Sequence, residues 1–274
     1  MQWAHLSAGS TYNTCDAIEG RFVDFIAGRQ LDKKVWAMGP CNPVTIETAG
    51  GAHNSDHKCL EWLNKQPPTS VIFVSFGTTT TMSDDEITQI AMGLEKSEQR
   101  FIWVLRDADQ SDIYEGKEGR NAQLPNGFEE RIKGRGLVVR DWAPQIKVLA
   151  HPSTGGFLSR CGWNSCLESL SMGVPIAALP SHSDHPANSL LVTQVLKVGL
   201  LVREWEQKDE LLSADTIACS IRKLMVSDEG NMMRKRAKDL GANVRSAVST
   251  GGSSTIHLES FLNHISRPLS QTEI

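Results

Sequence analysis

Between Trp142 and His185 the chain reads WAPQIKVLAHPSTGGFLSRCGWNSCLESLSMGVPIAALPSHSDH, and its polar residues suit successive parts of one extended ligand. Gly155 to Ser165 has the pattern of strand, tight turn and helix start. The amide N–H groups of Gly162 to Ser165 then point at whatever lies above the strand, and a diphosphate is their natural occupant. Asn164 and Ser165 can add side-chain donors. Arg160, at the strand end, can stabilise a phosphate leaving group by a charge-assisted contact. An ordinary helix cap with a solvated arginine is the plainer alternative.

Glu168 follows Asn164 by one helical turn, which lets its carboxylate reach a ribose hydroxyl pair; an exposed helix acid is the competing reading. Trp142 follows a strand and precedes Ala143-Pro144-Gln145. Its ring can stack on a base while Gln145 meets polar edges, unless it is packed as Trp in loops commonly is. Ser181 to His185 comes after another strand, where Asp184 and His185 can hydrogen-bond sugar hydroxyls. His182, Asp184 and His185 are disfavoured as metal ligands because no third cluster joins them. A Ser-His-Asp triad is disfavoured because there is no GxSxG elbow. Asp107-Ala108-Asp109 could pair acids around a metal, but in its polar loop a solvated turn is the better reading.

The elements that must position these residues are legible in the hydrophobic pattern. Val71 to Phe76 is a continuous apolar strand, and Ser83-Asp84-Asp85-Glu86 is a capping box opening a helix with Ile87, Ile90, Ala91 and Leu94 on one face. Further strands are expected at Phe101 to Leu105, Leu137 to Arg140, Gly155 to Ser159 and Pro175 to Leu179. Helices are expected at Ser213 to Met225 and Glu229 to Val244, with a last one starting at Gly251-Gly252-Ser253-Ser254. Short apolar strands alternating with helices imply an α/β fold: a Rossmann-like parallel sheet covered on both faces, with ligands at the strand carboxyl ends. Before it lie an expected helix from Asn13, with Ile18, Phe22, Phe25 and Ile26 on its face, a strand at Lys34 to Met38, and a loop at Cys41 to Lys58.

Composition limits the partners. A net charge of −4 and a pI near 6.1 argue against a surface built for nucleic-acid phosphates. Any anion must be held locally. The six cysteines form no CxxC pair in a chain too long to need disulfide staples, which favours reduced thiols in the cytoplasm. No apolar run approaches the ~18 residues of a membrane span.

At this point the residues carry a resemblance. Trp142 to His185 closely resembles the signature box of plant-type family 1 UDP-glycosyltransferases. Tyr12-Asn13-Thr14-Cys15, Val35 to Pro40, Trp62 to Pro68 and Val74-Ser75-Phe76-Gly77-Thr78 resemble further pieces of that family in the usual order. The resemblance implies a two-lobed GT-B enzyme, of which this chain is similar to the C-terminal, donor lobe with a remnant of the N-terminal lobe. The implied division is 1–40 remnant, 41–67 linker, 68–250 UDP-sugar-binding domain, and 251–274 C-terminal helix and tail. It further implies that Trp142 stacks on uracil, with Ala143 beside it and Gln145 by the base and ribose. Glu168 would hold the ribose, Thr78, Asn164 and Ser165 the diphosphate, and Trp163, Asp184 and His185 would face the sugar.

Family members of this type are inverting and metal-independent, using an N-terminal His paired with an Asp to activate the acceptor hydroxyl. Neither has a counterpart here, and His5 has the wrong context, so no catalytic residue, cofactor or metal ligand is assigned. Two positions depart from the pattern. Arg160 stands where the family usually has His, and His185 where glucose-transferring members generally carry Gln; His there is associated with galactose. UDP-glucose or UDP-galactose is therefore the expected donor and a hydroxylated small molecule the expected acceptor. The texture around Ser181 to Asp184 is nearest to zeatin O-glycosyltransferases.

The expected function is hexosyl transfer from a UDP-sugar to a small-molecule hydroxyl. A shortened chain that binds UDP-sugar without turnover is the alternative, and an NAD-dependent oxidoreductase is disfavoured because no GxGxxG occurs. The last helix, with Ile256, Leu258, Phe261, Leu262 and Ile265, is expected to cross onto the first lobe and to leave apolar surface bare, giving self-association.

Overall fold

The computed structural model describes residues 7–29, 33–45, 57–77, 82–105 and 123–267. The chain opens with β1 (Gly9–Tyr12), α1 (Asp16–Arg29) and β2 (Lys34–Ala37), a small unit in which the two strands pair in parallel. The first strand is not evident in the sequence, since GSTY has no apolar run. Helix α1 buries Ile18 and Val23, while Phe22 and Phe25 are exposed beneath the guanidinium groups of Arg21 and Arg29. The expected face of Ile18, Phe22 and Phe25 is therefore corrected. Glu19 leaves helical geometry, with φ −130°, and the break resets the face one residue along.

Helix α2 (Lys58–Leu63) falls inside the stretch expected as linker. It is docked rather than loose: Cys59 and Leu63 are fully buried in the main core, and burial pushes the Cys59 thiol up to about 11.

The remainder alternates in the order β3 (Val71–Ser75), α3 (Asp84–Ser97), β4 (Arg100–Val104), α4 (Phe128–Arg131), β5 (Gly136–Val139), α5 (Gln145–Ala150), β6 (Thr154–Ser159), α6 (Trp163–Met172), β7 (Ile176–Ala178) and α7 (His185–Leu190). A π-helical turn over Leu191–Val195, β8 (Gly199–Leu201), α8 (Ala214–Val226), α9 (Asp228–Ala247) and α10 (Ser253–Ile265) complete it. The six strands from β3 onward form one parallel sheet in the spatial order β5-β4-β3-β6-β7-β8. Counted from β3, that is the doubly wound order 3-2-1-4-5-6, whose switch point lies between β3 and β6.

Period-two alternation decides what each strand residue meets. Val71, Phe73, Phe157 and Ile176 face α5, α6 and α9, whereas Ile72, Val74, Leu158 and Ala177 face α3 and α8. Phe73 and Phe157 stack across neighbouring strands with centroids 5.3 Å apart. Helix α3 starts with the capping box expected of Ser83 and Glu86: the Glu86 amide donates to Ser83 Oγ at 3.2 Å and the Ser83 amide to Glu86 Oε2 at 2.8 Å. Gly93 lets α8 approach so closely that a Cβ there would sit 2.6 Å from Ile217 Cβ.

Arg234 of α9 is buried and holds the far end of the sheet together. It donates to the carbonyls of Gly155 in β6 at 3.2 Å and of Leu224 and Met225 at 3.2 and 3.1 Å. Helix α10 returns to the opening unit, where Trp36 Nε1 donates to Ser260 Oγ at 3.2 Å and the Trp36 ring meets Phe261 edge-on at 5.3 Å.

Candidate functional site

The switch point between β3 and β6 opens into a cleft of about 670 Å³, part of it open to solvent. Phe73, Ser75 and Gly77 from β3 and Val104 from β4 form its floor. Trp142, Ala143 and Gln145 form one wall and Ser165 and Glu168 the other. Gly77 turns the chain away with φ +81°, a conformation that glycine adopts without a Cβ penalty. Trp142 stands at the lip, 70% exposed, above the buried Ala143. A large aromatic ring left open beside a cleft is the arrangement a stacking platform requires.

The other wall is built by the start of α6. After β6 the chain passes through Cys161 at φ +64° to Gly162, which caps α6 without a side-chain hydrogen bond. The Cys166 amide is the one that donates back to Gly162 O, at 3.0 Å. The amides of Trp163, Asn164 and Ser165 therefore precede the helical bonding pattern, at the end where the helix carries about half a positive charge. Gln145 Nε2 donates to Ser165 Oγ at 3.1 Å and to Glu168 Oε2 at 2.8 Å. The candidates expected to meet base, phosphate and ribose, drawn from two helices, are thus joined in one network. Beneath them the Cys166 thiol is pushed up by its bond to Cys161 and by burial.

Other expected residues lie around this centre. The Trp163 indole donates to Asn13 O at 2.8 Å, tying α6 to the opening unit. Asp184 accepts from Asn188 Nδ2 at 2.8 Å, and the same amide donates to Cys161 O at 2.9 Å. His185 is buried, with Nδ1 3.2 Å from Ser181 Oγ and its ring 4.3 Å from that of His182. Burial first, then His182 and Arg160, hold its pKa below the usual 6.5 against the opposing pull of Asp184. Its Nε2 lies about where Gly162 approaches: a Cβ on Gly162 would be 3.5 Å from it. Asn164 is exposed at the helix start. Thr78, like Asp107 and Asp109, lies outside the described residues.

Arg160 is placed differently from its expected contact with a phosphate. Its neighbour Ser159 belongs to the α6 side of β6, so alternation sends Arg160 to the opposite face of the sheet. There the buried guanidinium lies 5.4 Å from the Phe76 ring centroid and 3.9 Å from Glu86 Oε1, beside Arg203 and Ser181 in a separate small pocket. The structure does not bring it to the cleft wall.

Two participants were not singled out from sequence. His57 at the start of α2 meets the Trp142 carbonyl and ring, and the Asn13 carbonyl receives the Trp163 indole. Both contacts span distant parts of the chain, and no local spacing announces them. Among the described residues, no group of three His, Cys, Asp or Glu side chains is placed to hold a metal ion, and no helix is long and apolar enough to cross a membrane.

Fold and cleft together define a doubly wound α/β lobe of GT-B type with an open groove at its switch point. Residues 30–238 match the family described as UDP-glucoronosyl and UDP-glucosyl transferase, and residues 1–43 match a glycosyltransferase N-terminal domain. The chain belongs to the UDP-glycosyltransferase family of plant type. It is 53% identical over 259 residues to zeatin O-glucosyltransferase of Phaseolus lunatus, covering 94% of this chain and 56% of that one. To zeatin O-xylosyltransferase of Phaseolus vulgaris it is also 53% identical, covering 94% of this chain and 57% of the relative. Among solved structures it is similar to Phytolacca americana UGT2 complexed with UDP-2fluoro-glucose and pterostilbene, at TM-score 0.81 and 36% identity, covering 96% of this chain and 55% of that one. A transferase from Siraitia grosvenorii in complex with UDP gives TM-score 0.82 at 34% identity, covering 96% and 57%. The chain thus spans about 56% of the length of the curated relatives it matches.

Proposed function

We propose that the cleft holds a UDP-sugar and that the chain serves hexosyl transfer to a hydroxyl of a small molecule, with inversion and without a metal. The observation that carries this reading is the Gln145–Ser165–Glu168 network at the start of α6, facing the exposed Trp142 ring. In it, Trp142 stacks on uracil and Ala143 lies beneath. Gln145 and Glu168 address base edge and ribose. Thr78, Asn164 and Ser165 meet the diphosphate, while Trp163, Asp184 and His185 lie toward the sugar. The amides opening α6 supply preorganised donors for charge that grows on the departing diphosphate. Arg160, on the other face of the sheet, supports the Phe76–Gly77 turn in this reading.

UDP-glucose and UDP-galactose are the proposed donors, and the relatives' names make zeatin the first acceptor to try. We take 68–250 as the donor domain, 1–40 as belonging to an acceptor lobe, 41–67 as a linker whose end α2 is docked, and 251–274 as the returning helix and tail. All six cysteines are free, which supports a reducing, cytoplasmic setting. Ile256, Leu258, Leu262 and Ile265 of α10 are exposed and favour self-association.

The first experiment is thermal unfolding with millimolar UDP, UDP-glucose and UDP-galactose. A ligand at about 100 times its Kd adds about 2.7 kcal/mol of stability. No shift with any of the three refutes the donor site. Mass spectrometry of zeatin incubated with each UDP-sugar, with and without EDTA, then tests transfer and its independence of metal. Light scattering at high concentration tests self-association, which a clean monomer contradicts.

A further inference from the structure

Trp142 sits in the irregular connection between β5 and α5 with its ring mostly exposed, and its support comes from a distant part of the chain. His57, the residue that caps α2, places Nε2 3.0 Å from the Trp142 carbonyl oxygen. The two rings are perpendicular, with centroids 6.0 Å apart at 87°. On its other side, His57 Nδ1 accepts from the Cys59 amide at 3.2 Å. A backbone amide can only donate and a carbonyl can only accept, so both ring nitrogens have fixed roles: Nδ1 is bare and Nε2 carries the hydrogen.

One imidazole therefore joins the start of α2 to the stacking residue. Its anchor is firm, because Cys59 and Leu63 of α2 are fully buried. Beside it Lys58 Nζ reaches Asp141 Oδ2 at 3.3 Å, an exposed pair that adds little energy but ties the neighbouring residue of the same connection to α2.

We propose that His57 is a positioning residue for nucleotide recognition: it sets the height and tilt of the Trp142 ring so that the pyrimidine base of a nucleoside diphosphate can stack on it. This rests on the donor-site reading above. Stacking depends on ring placement, so a wall residue held only by its own loop would spend binding energy on being ordered when ligand arrives. The His57 bond fixes that loop beforehand.

Two substitutions separate the two bonds of the imidazole. His57→Asn retains a short acceptor for the Cys59 amide, since asparagine is among the best helix caps, but cannot reach the Trp142 carbonyl. His57→Gln has the reach to donate to that carbonyl but caps poorly. Calorimetric titration of the full 274-residue chain with UDP and with inorganic diphosphate reads the outcome. We expect His57→Asn to weaken UDP by about fivefold to tenfold, part of the full value of a base stack, with diphosphate binding and melting temperature unchanged. We expect His57→Gln to keep the affinity for UDP while its melting temperature falls. Wild-type affinity for UDP in His57→Asn, or equal weakening of UDP and diphosphate, overturns the proposal. Failure of the unsubstituted chain to bind UDP overturns the donor site itself, and this proposal with it, and is recognised before any variant is made.

Discussion

Replacing Glu168 with alanine is the sharpest perturbation of the proposed site, because the carboxylate both joins the Gln145 network and lines the cleft. Its Oε2 accepts from Gln145 Nε2 at 2.8 Å, and the residue lines the cleft. A hydrogen bond to a charged group contributes about 1.5–3 kcal/mol. At about 1.4 kcal/mol per factor of ten, losing the ribose contact weakens UDP roughly tenfold to 150-fold. Stability should change by less than about 1 kcal/mol, because the Gln145 amide keeps its second acceptor, Ser165 Oγ at 3.1 Å. The assay is calorimetric titration of wild type and Glu168→Ala with UDP and with 2′,3′-dideoxy-UDP. If the carboxylate meets the ribose hydroxyls, the substitution hurts UDP and leaves the dideoxy compound nearly untouched. Equal losses for both ligands refute the assignment, since the carboxylate would then be acting on the cleft as a whole.

Three further outcomes follow from the packing. Arg234→Met removes the bonds of a buried guanidinium to three carbonyls, those of Gly155, Leu224 and Met225, and should cost about 3 kcal/mol or more, read as a lower urea midpoint with an unchanged slope. Arg160→Ala should cost about 1–3 kcal/mol through lost packing on Phe76 and the Glu86 pair, while UDP affinity stays within about threefold; a large loss of affinity would return Arg160 to the donor site. His185 and His151 are held below their usual 6.5 chiefly by burial, so the unfolded chain binds more protons than the folded one as pH falls through that value. Stability must then decline from pH 7 toward pH 5, and His185→Gln should flatten the decline in thermal unfolding scans.

Most of the sheet was legible because its strands are continuous apolar runs between turn formers, and the capping box of α3 is written in four consecutive residues. The opening strand was not, because GSTY is held by pairing to β2 rather than by its own apolar pattern. Helix α2 was hidden for a similar reason. Six residues are too few to show a helical period, and its helicity is secured by the burial of Cys59 and Leu63 against the core.

The site divides along the same line. Gln145, Ser165 and Glu168 were legible because α6 presents one face over one turn and α5 begins beside it. His57 was not, since its role exists only once α2 has docked. Arg160 is the instructive case, because the information was local and sufficient. Phe157 and Ser159 alternate with Leu158 along β6, which Arg160 directly follows, and Phe157 belongs to the core beneath α5 and α6 whereas Leu158 belongs to the one beneath α3 and α8. Extending that alternation by two residues sends the Arg160 side chain away from the cleft and toward Glu86. Its position in a motif suggested a phosphate ligand, whereas the side chain lies against Phe76 and Glu86, and the Arg160→Ala titration decides between the two.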